Sequence, residues 1–552
     1  QGARSSQVVE LGDGSRGLLP SEWLARWGGF AALTPQRAAA LRFSTHQIGV
    51  AEAMLEALGP DDLIPGLEQL RERVASFQRV TPLPPPAGFV GLLRSYQAHG
   101  YSWLSALAEL KLGACLADDM GLGKTIQVLA HLARLHAEQR SAPSLVVMPR
   151  SLLANWRAEA ARFAPELRLH THWGPDRGEV ARAFHEVDVV LTTYGTLRLD
   201  IAELSKLELS TVVLDEAQAI KNAASATAKC ARQLRASHRI ALSGTPIENH
   251  LGELWSLFEF LNPGMLSELP ELGRALDKSQ ASPETLKLIQ RVLRPFVLRR
   301  TKQEVAKDLP ARSEQTLFVE LEPEERVRYE ELLRFYQASI KKRGLSDPTR
   351  STPQVLEALL RLRQAACHPG LLDRKRTAER SSKIELLLEQ LRGVLEEGHK
   401  ALVFSQFTSL LSILQERLRQ EKISFEYLDG KTKDRDACVA RFQNDPALPV
   451  FLISLKAGGV GLNLTAADYV FILDPWWNPA VEAQAIDRAH RIGQTRPVIA
   501  YRLLCRNTVE ERVLQLQDKK RHLIAAVMGD EGAFAGKLTR DDLESLLGLV
   551  GN

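Results

Sequence analysis

Lys124 and Thr125 close the stretch "ADDMGLGKTIQ" (117–127), where an apolar strand-like run gives way to a helical pattern. A glycine-rich turn at such a junction gathers backbone amides and a helix N-terminus at one point, which makes an anion cradle. Asp119, Met120, Gly121, Leu122 and Gly123 would wrap a polyphosphate there. The Lys124 ammonium would reach its outer phosphates, and the Thr125 hydroxyl would ligate magnesium. Asp118 occupies the place where the generic G-x-x-x-x-G-K-[ST] pattern has its first glycine, so the reading leans on the strand–turn–helix context. Further on, "VVLDEAQ" (212–218) ends a second apolar run on two carboxylates. Asp215 is placed to hold magnesium through water, and Glu216 to orient or deprotonate an attacking water. Strand ends often carry surface acids, and a Gly turn can precede Lys-Thr by chance. Together, in this order, the two segments point to phosphoryl transfer from ATP with Mg2+.

A third segment, "QAIDRAHRIGQTRP" (484–497), reads as helix up to Gly493 and carries Arg488 and Arg491 three residues apart. At that spacing both guanidinium groups share a helix face. Phosphoryl transfer gathers negative charge on the transferred group, and an inserted arginine accelerates it by roughly 10³- to 10⁵-fold. Because these arginines follow Lys124 by more than three hundred residues, that role requires a nucleotide held between two halves of the chain. The plainer reading is a solvated helix face balanced by Glu482 and Asp487, and for the segment alone it is the better one.

The elements that must position these groups are legible as alternation. Short apolar runs at 112–118, 143–149, 187–194, 211–217 and 238–246 alternate with helical patterns, as do runs at 400–407, 449–455, 468–474 and 498–505. Such alternation indicates parallel sheets with helices on both faces. The stretch between them lacks convincing strands and includes the long helical run "PEERVRYEELLRFYQASIKKR" (323–343). A capping box from Ser382 to Glu385 starts a helix over 381–398 that ends on Gly398. The prolines of "RVTPLPPPAGFVG" (79–91) mark a semi-rigid linker after a helix-leaning start. The expected order is an N-terminal accessory segment with that linker (1–88), a first α/β lobe (89–262), a helical insertion (263–380), a second lobe (381–515) and a helical tail (516–552).

Composition bounds the rest. Apolar content of 45% and charged content of 25% over 552 residues fit an ordinary multidomain globular chain. A net charge of +4 permits a polyanionic partner without requiring one. Five scattered cysteines without a C-x-x-C pair argue for a reducing compartment, no disulfide framework and no zinc ribbon. Cys367 and His368 are adjacent, a poor arrangement for sharing one ion. No run of some 18 apolar residues occurs, so a soluble, intracellular protein without a membrane partner is expected. The chain starts at Gln and reads as a fragment or a processed form.

"RSYQAHGYSWL" (94–104), "DDMGLGKT", "DEAQAIKN", "LSGTPIEN", "LISLKAGGVGLNLTAADYVFILDPWWNP" and "AIDRAHRIGQTRPV" together resemble the Swi/Snf ATPases of helicase superfamily two, over about 89–515. The resemblance implies two RecA-like lobes with parallel sheets, a helical insertion and a DNA-dependent ATPase. By the same likeness Gln97 recognises adenine and Gly461 contacts the nucleotide. Asp215, Glu216, Arg488 and Arg491 take the magnesium, catalytic and paired-arginine positions. Gln218, Ser243 and Thr245 couple hydrolysis to movement. Asn155, Trp156, Thr193, Tyr194, Ser405, Gln406, Lys456 and Asn463 line the DNA path, and "FVLRRTKQEV" (296–305) bridges insertion and second lobe. Gln218 stands where the family usually has His, and "RQAACHP" (363–369) lacks the Asn often found before the His; both put fine coupling in doubt more than hydrolysis.

Polar side chains and backbone amides at lobe edges suit phosphate contacts, which position a protein without reading sequence. Trp476 or Trp477 is placed to stack on bases, or equally to plug a gap under the cleft. The expected function is a monomeric motor on double-stranded DNA that displaces DNA-bound proteins or RNA polymerase. A strand-separating DNA or RNA helicase and a nucleotide-gated scaffold are the alternatives. The Ala-, Leu- and Arg-rich wording suggests a bacterial, cytoplasmic, nucleoid-associated protein, or a nuclear one if eukaryotic.

Overall fold

The computed structural model describes residues 8–10, 16–18, 48–57, 72, 80–138, 142–244, 251–265, 292–343, 348–458, 462–476 and 479–515. Tertiary contacts divide the chain into two compact units: residues 1–119 with 123–301, and residues 302–552 with loop residues 120–122. Each contains a parallel sheet flanked by helices, as a RecA-like lobe does. The start of the chain departs from its helix-leaning reading: β1 (Val8–Glu10) pairs antiparallel with β2 (Arg16–Leu18) before the helix Ile48–Ala57. The link between the two strands is Gly-Asp-Gly turn wording, which favours a hairpin.

In the first unit β3 (Ala114–Leu116), β4 (Ser144–Met148), β5 (Leu169–His172), β6 (Val189–Thr193), β7 (Glu208–Leu214), β8 (Arg235–Leu242) and β9 (Val297–Leu298) stand in the order β5-β6-β4-β7-β8-β3-β9. Every neighbouring pair is parallel. Cys115, Leu145, Val147, Val190, Val212, Leu214 and Ala241 from these strands share one buried cluster with flanking helices. The phosphate loop, the Asp-Glu pair and Ser243 follow β3, β7 and β8, three consecutive strands of the sheet. All three therefore leave the carboxyl edge, where ligands of open α/β sheets bind.

The second unit orders β10 (Arg312–Val319), β11 (Ala401–Ser405), β12 (Phe425–Leu428), β13 (Val450–Ser454), β14 (Tyr469–Ile472) and β15 (Val498–Cys505) as β10-β15-β14-β11-β13-β12, again all parallel. Successive residues of β11 alternate between two cores. Ala401 and Val403 join one, and Leu402 and Phe404 the other. That is how a sheet covered on both faces reads as a continuous apolar run.

The region 263–380 is not purely helical. Its helices Pro323–Arg343 and Pro348–Cys367 match the expectation, but β9 and β10 lie there too and give each sheet one edge strand. β10 does not read as an apolar run because its sequence, RSEQTLFV, is polar over its first five residues and exposed at Ser313, Glu314 and Gln315. The helix Ser382–Glu396 is capped differently from the expected box. Ser381 is its N-cap residue and Ser381 Oγ donates to the Cys367 carbonyl, while the Ser382 hydroxyl donates to Glu325. Its end is as read: Gly398 takes φ +76°, with its N–H on the Leu395 carbonyl and that of His399 on the Val394 carbonyl.

Candidate functional site

The loop after β3 needs glycine twice, since Gly121 and Gly123 have φ of +85° and +79°. A Cβ on Gly123 would also come within 2.5 Å of Gln97 Nε2. Gly123 caps the helix Lys124–Ala137, whose first amides point into the turn. The Lys124 ammonium donates to the carbonyls of Asp118 (2.5 Å) and Asp119 (3.3 Å), at the mouth of that turn. Thr125 follows it in the first helical turn, half-buried. Gln97 is buried, and its Oε1 accepts the Arg94 N–H (3.0 Å) at the start of the helix Ser95–Glu109. The adenine residue of the family pattern thus lies against the phosphate loop.

Asp118, the departure from the generic pattern, is 0% exposed and ion-paired to Arg300 (Nε–Oδ1 2.9 Å, Nη2–Oδ2 2.5 Å). Gln127 Nε2 donates to its Oδ2 (3.1 Å), and Arg300 also donates to Gln127 Oε1 (2.8 Å) and to the Tyr96 carbonyl. A buried bidentate pair holds the base of the loop in place of a glycine. Sequence reading missed Arg300 altogether. Its only signal was membership of "VLRRTK", far from the loop in the chain.

At the end of β7, Asp215 is buried with every oxygen addressed. Oδ1 accepts the Glu216 N–H (2.8 Å), and Oδ2 accepts the Trp156 indole N–H (2.8 Å). Burial, reinforced by the Glu216 carboxylate, pushes the Asp215 carboxyl up to about 7, against the pull of the Trp156 donor and the nearby Lys124 ammonium. Glu216 sits in the left-handed region at φ +51°, a conformation a non-glycine residue keeps only under constraint. Gln218 Nε2 donates to Glu216 Oε2 (2.7 Å), and the Ser243 hydroxyl donates to Gln218 Oε1 (3.5 Å). Gln218 and Ser243 therefore form a polar line ending on the Glu216 carboxylate. Thr245 lies outside the described residues.

A buried carboxylate at the carboxyl edge, an ammonium close enough to lower its pKa, and two glycines that admit no side chain form a donor set suited to a Mg2+-bound triphosphate.

Of the first-unit residues assigned to a DNA path, Asn155 is half-buried with its Nδ2 on Glu159 Oε1 (3.1 Å). Trp156 is 0% exposed. Thr193 is buried, and its hydroxyl caps the helix Tyr194–Leu204 by accepting the Thr196 N–H (3.2 Å). The Tyr194 hydroxyl donates to the Asp215 carbonyl (2.8 Å). The polar atom of Trp156 is thus spent on the Asp215 carboxylate and that of Tyr194 on the Asp215 backbone carbonyl, rather than offered along a DNA path.

In the second unit the helix Pro479–Ile486 stops before both arginines, so they do not share a helical face. Turn-type bonds such as Ala489 N–H to the Ile486 carbonyl (3.0 Å) follow it, and tertiary bonds fix the segment. The Arg488 carbonyl accepts the Leu464 N–H (3.0 Å), and His490 Nε2 bonds the Pro310 carbonyl (2.9 Å). Arg488 is 3% exposed, and Arg491 Nη1 donates to the Leu462 carbonyl (2.9 Å). The solvated-face reading also loses its acids. Asp487 is taken by Lys302 (2.7 Å) and Arg312 (2.9 Å), and Glu482 by Arg502 (2.7 Å). Gln494, unnoticed in the sequence, pins the segment through the carbonyls of Thr465, Ala467 and Ala489.

Ser405 is buried with its hydroxyl on Asp474, whose other oxygen accepts the Gln406 N–H (3.2 Å). The buried Arg363 joins this group through Gln406 Oε1 (3.3 Å), Asp474 (3.8 Å) and the Pro475 carbonyl. Ser405 is therefore an internal tie in this fold, not a surface donor. Trp476 is partly buried against the core, and its backbone N–H donates to Glu482 Oε1 (2.7 Å). Asn463 is exposed, and Lys456 lies in the short helix Leu455–Gly458. Gly461 and Trp477 lie outside the described residues.

Family models match in order: the SNF2-related domain over residues 96–371, and the helicase conserved C-terminal domain over 382–493. Among curated relatives, the candidate ATP-dependent helicase/translocase YwqA of Bacillus subtilis (strain 168) is 38% identical over 502 residues, covering 87% of this chain and 54% of that protein. The human SWI/SNF-related matrix-associated actin-dependent regulator of chromatin subfamily A member 1 is 35% identical over 460 residues, 79% of this chain and 44% of its own. The SWI2/SNF2 ATPase core of Sulfolobus solfataricus, solved in complex with dsDNA, is 35% identical. It covers 84% of this chain and 99% of its own, with a TM-score of 0.42. The chain spans about half the length of the curated relatives it matches. With both domains present in sequence, the chain belongs to the SNF2-related family.

Proposed function

We propose that the chain is a DNA-dependent ATPase that tracks along double-stranded DNA and displaces bound proteins. The observation that carries this reading is the convergence of Lys124, Asp215, Glu216, Gln218 and Ser243 at the carboxyl edge of one sheet. A site that only switches on nucleotide binding needs no catalytic acid, so the Glu216 carboxylate and its polar line favour turnover over a passive scaffold. In this reading the loop amides and Lys124 hold the phosphates, and Thr125 and Asp215 hold Mg2+. Glu216, oriented by Gln218, aligns and deprotonates the attacking water. When bound, magnesium neutralises charge developing on the phosphoryl oxygens. Arg488 and Arg491 supply the remaining positive charge from a segment fixed by Lys302, Arg312 and Gln494.

Relatives named helicase/translocase and chromatin regulator support a DNA substrate. The intended partner is duplex DNA, with bound proteins or RNA polymerase as obstacles, and the acting species is a monomer. ATPase rates measured without nucleic acid and with duplex DNA, single-stranded DNA or RNA, beside a strand-displacement assay, test this. The expected result is strong stimulation by duplex with little unwinding. Stimulation by RNA alone overturns it.

A further inference from the structure

Trp156 is a large aromatic residue at the start of the helix Leu153–Phe163, in a segment whose family counterpart lines a DNA path. Yet the side chain is wholly buried, and its single polar atom is spent on Asp215 Oδ2 at 2.8 Å. Tyr194, the first residue of another helix, sends its hydroxyl to the carbonyl of the same aspartate at 2.8 Å. We infer that Trp156 and Tyr194 are positioning residues for Asp215, by which the two helix starts set the orientation of the magnesium carboxylate.

The geometry leaves the aspartate little freedom. Oδ1 is held by the Glu216 N–H, Oδ2 by the indole and the carbonyl by the phenol, so rotating the carboxylate breaks at least one of these bonds. An indole N–H is a donor only and cannot reverse its role. A bond from it to a carboxylate is charge-assisted and short, and the lone pairs it leaves on Asp215 face away from the indole. The same two helix starts carry Asn155, half-buried, and the Thr193 cap. A duplex pressing on these starts would move the indole and the phenol together, and with them the carboxylate. Resting on the proposed function, this assigns the coupling of DNA engagement to magnesium binding to an indole and a phenol whose polar atoms are spent on Asp215.

The test uses the full chain with Trp156→Phe, which keeps an aromatic core and removes the donor, and Tyr194→Phe, which removes the hydroxyl from the second helix. Circular dichroism and thermal melting establish that each variant folds. Duplex affinity is read by fluorescence anisotropy, and affinity for a fluorescent ATP analogue is titrated against Mg2+ with and without duplex. The expected result is unchanged duplex affinity in both variants. The Mg2+ concentration giving half-maximal tightening of nucleotide binding should rise roughly 10-fold or more in Trp156→Phe, the scale of losing one hydrogen bond to a charged group. Tyr194→Phe should show a smaller shift of the same sign. Mg2+ dependence equal to wild type in a folded Trp156→Phe overturns the assignment, as does a loss of duplex affinity with the Mg2+ dependence intact. The Mg2+ titration without DNA stands apart from the motor reading, which fails separately if wild-type turnover ignores duplex.

Discussion

Asp215 is the residue at which burial and function pull in opposite directions. Its raised carboxyl pKa means the protonated form persists to about pH 7, where the ionised form is the one that holds a metal. Turnover should therefore fall as pH drops through about 7, with the midpoint moving lower at saturating Mg2+; a profile flat from pH 6 to 8 at limiting Mg2+ would contradict this. The same shift bears on stability. A carboxyl raised above its ordinary 3.8 contributes stability that is complete below that value and is lost as pH rises through about 7. Without nucleotide at pH 8, Asp215→Asn should melt about 2–5 °C above wild type, and the gap should narrow as pH falls below about 7 and close below about pH 4. Arg491→Ala should leave ATP binding largely intact while hydrolysis drops by roughly 10³-fold. Unchanged turnover would remove the arginine from the chemistry. At this scale the sequence tells where a residue sits in the fold more readily than what it touches. Lys124, Asp215 and Glu216 sit in segments whose local order dictates where they go. Trp156, Ser405 and the pair Asp118–Arg300 depend on partners dozens to hundreds of residues away, which no local pattern reveals.

At the scale of elements, the strands legible in advance are the nine with neighbours on both sides, and those missed in the two lobes are β5, β9, β10 and β12, the edges of the two sheets. A central strand is covered on both faces and must be apolar throughout. An edge strand is half solvated and needs charge or brevity to avoid pairing with other chains. LHTH, VL, RSEQTLFV and FEYL show this in turn. The helix end at Gly398 is legible because glycine stops it, while the segment after Ile486 tightens into turns and ties its Arg488 carbonyl to the remote Leu464 N–H. One remote tie is the buried pair Lys383–Glu510 (2.6 Å), which fastens the helix Ser382–Glu396 to the helical run 509–515 that follows β15, and Lys383 also engages the Leu473 carbonyl. Burial pulls the Lys383 pKa down, but Cys367, Cys505 and the Glu510 carboxylate outweigh it and the net shift is upward. Glu510→Ala should cost about 3–5 kcal/mol by denaturant unfolding, because it strands a buried ammonium. Lys383→Met with Glu510→Leu should cost far less. Equal losses would mean that the pair's charge is irrelevant.

For the whole molecule, each unit has its own sheet and core, and all five cysteines are buried and unpaired. Among the described residues no helix is long and apolar enough to cross a membrane, and no three His, Cys, Asp or Glu side chains gather around one metal position. The proposed division of labour predicts that the first unit, expressed alone, binds ATP but hydrolyses it at a small fraction of the full chain's duplex-stimulated rate. Equal rates would make the second unit's arginines dispensable.

The edge strand β10 pairs with the last strand of its sheet, and Glu314 on one meets Arg502 on the other, 188 residues later. A ribosome adding roughly 5–20 residues per second leaves β10 waiting on the order of 10–40 s for its partner to be made. During that interval its polar wording, with Arg312 and Glu314 at one end, keeps a nascent chain from zipping onto its neighbours on the same messenger. Any translation product that stops short of Val498 would carry an orphaned strand and become a natural target for quality-control proteolysis.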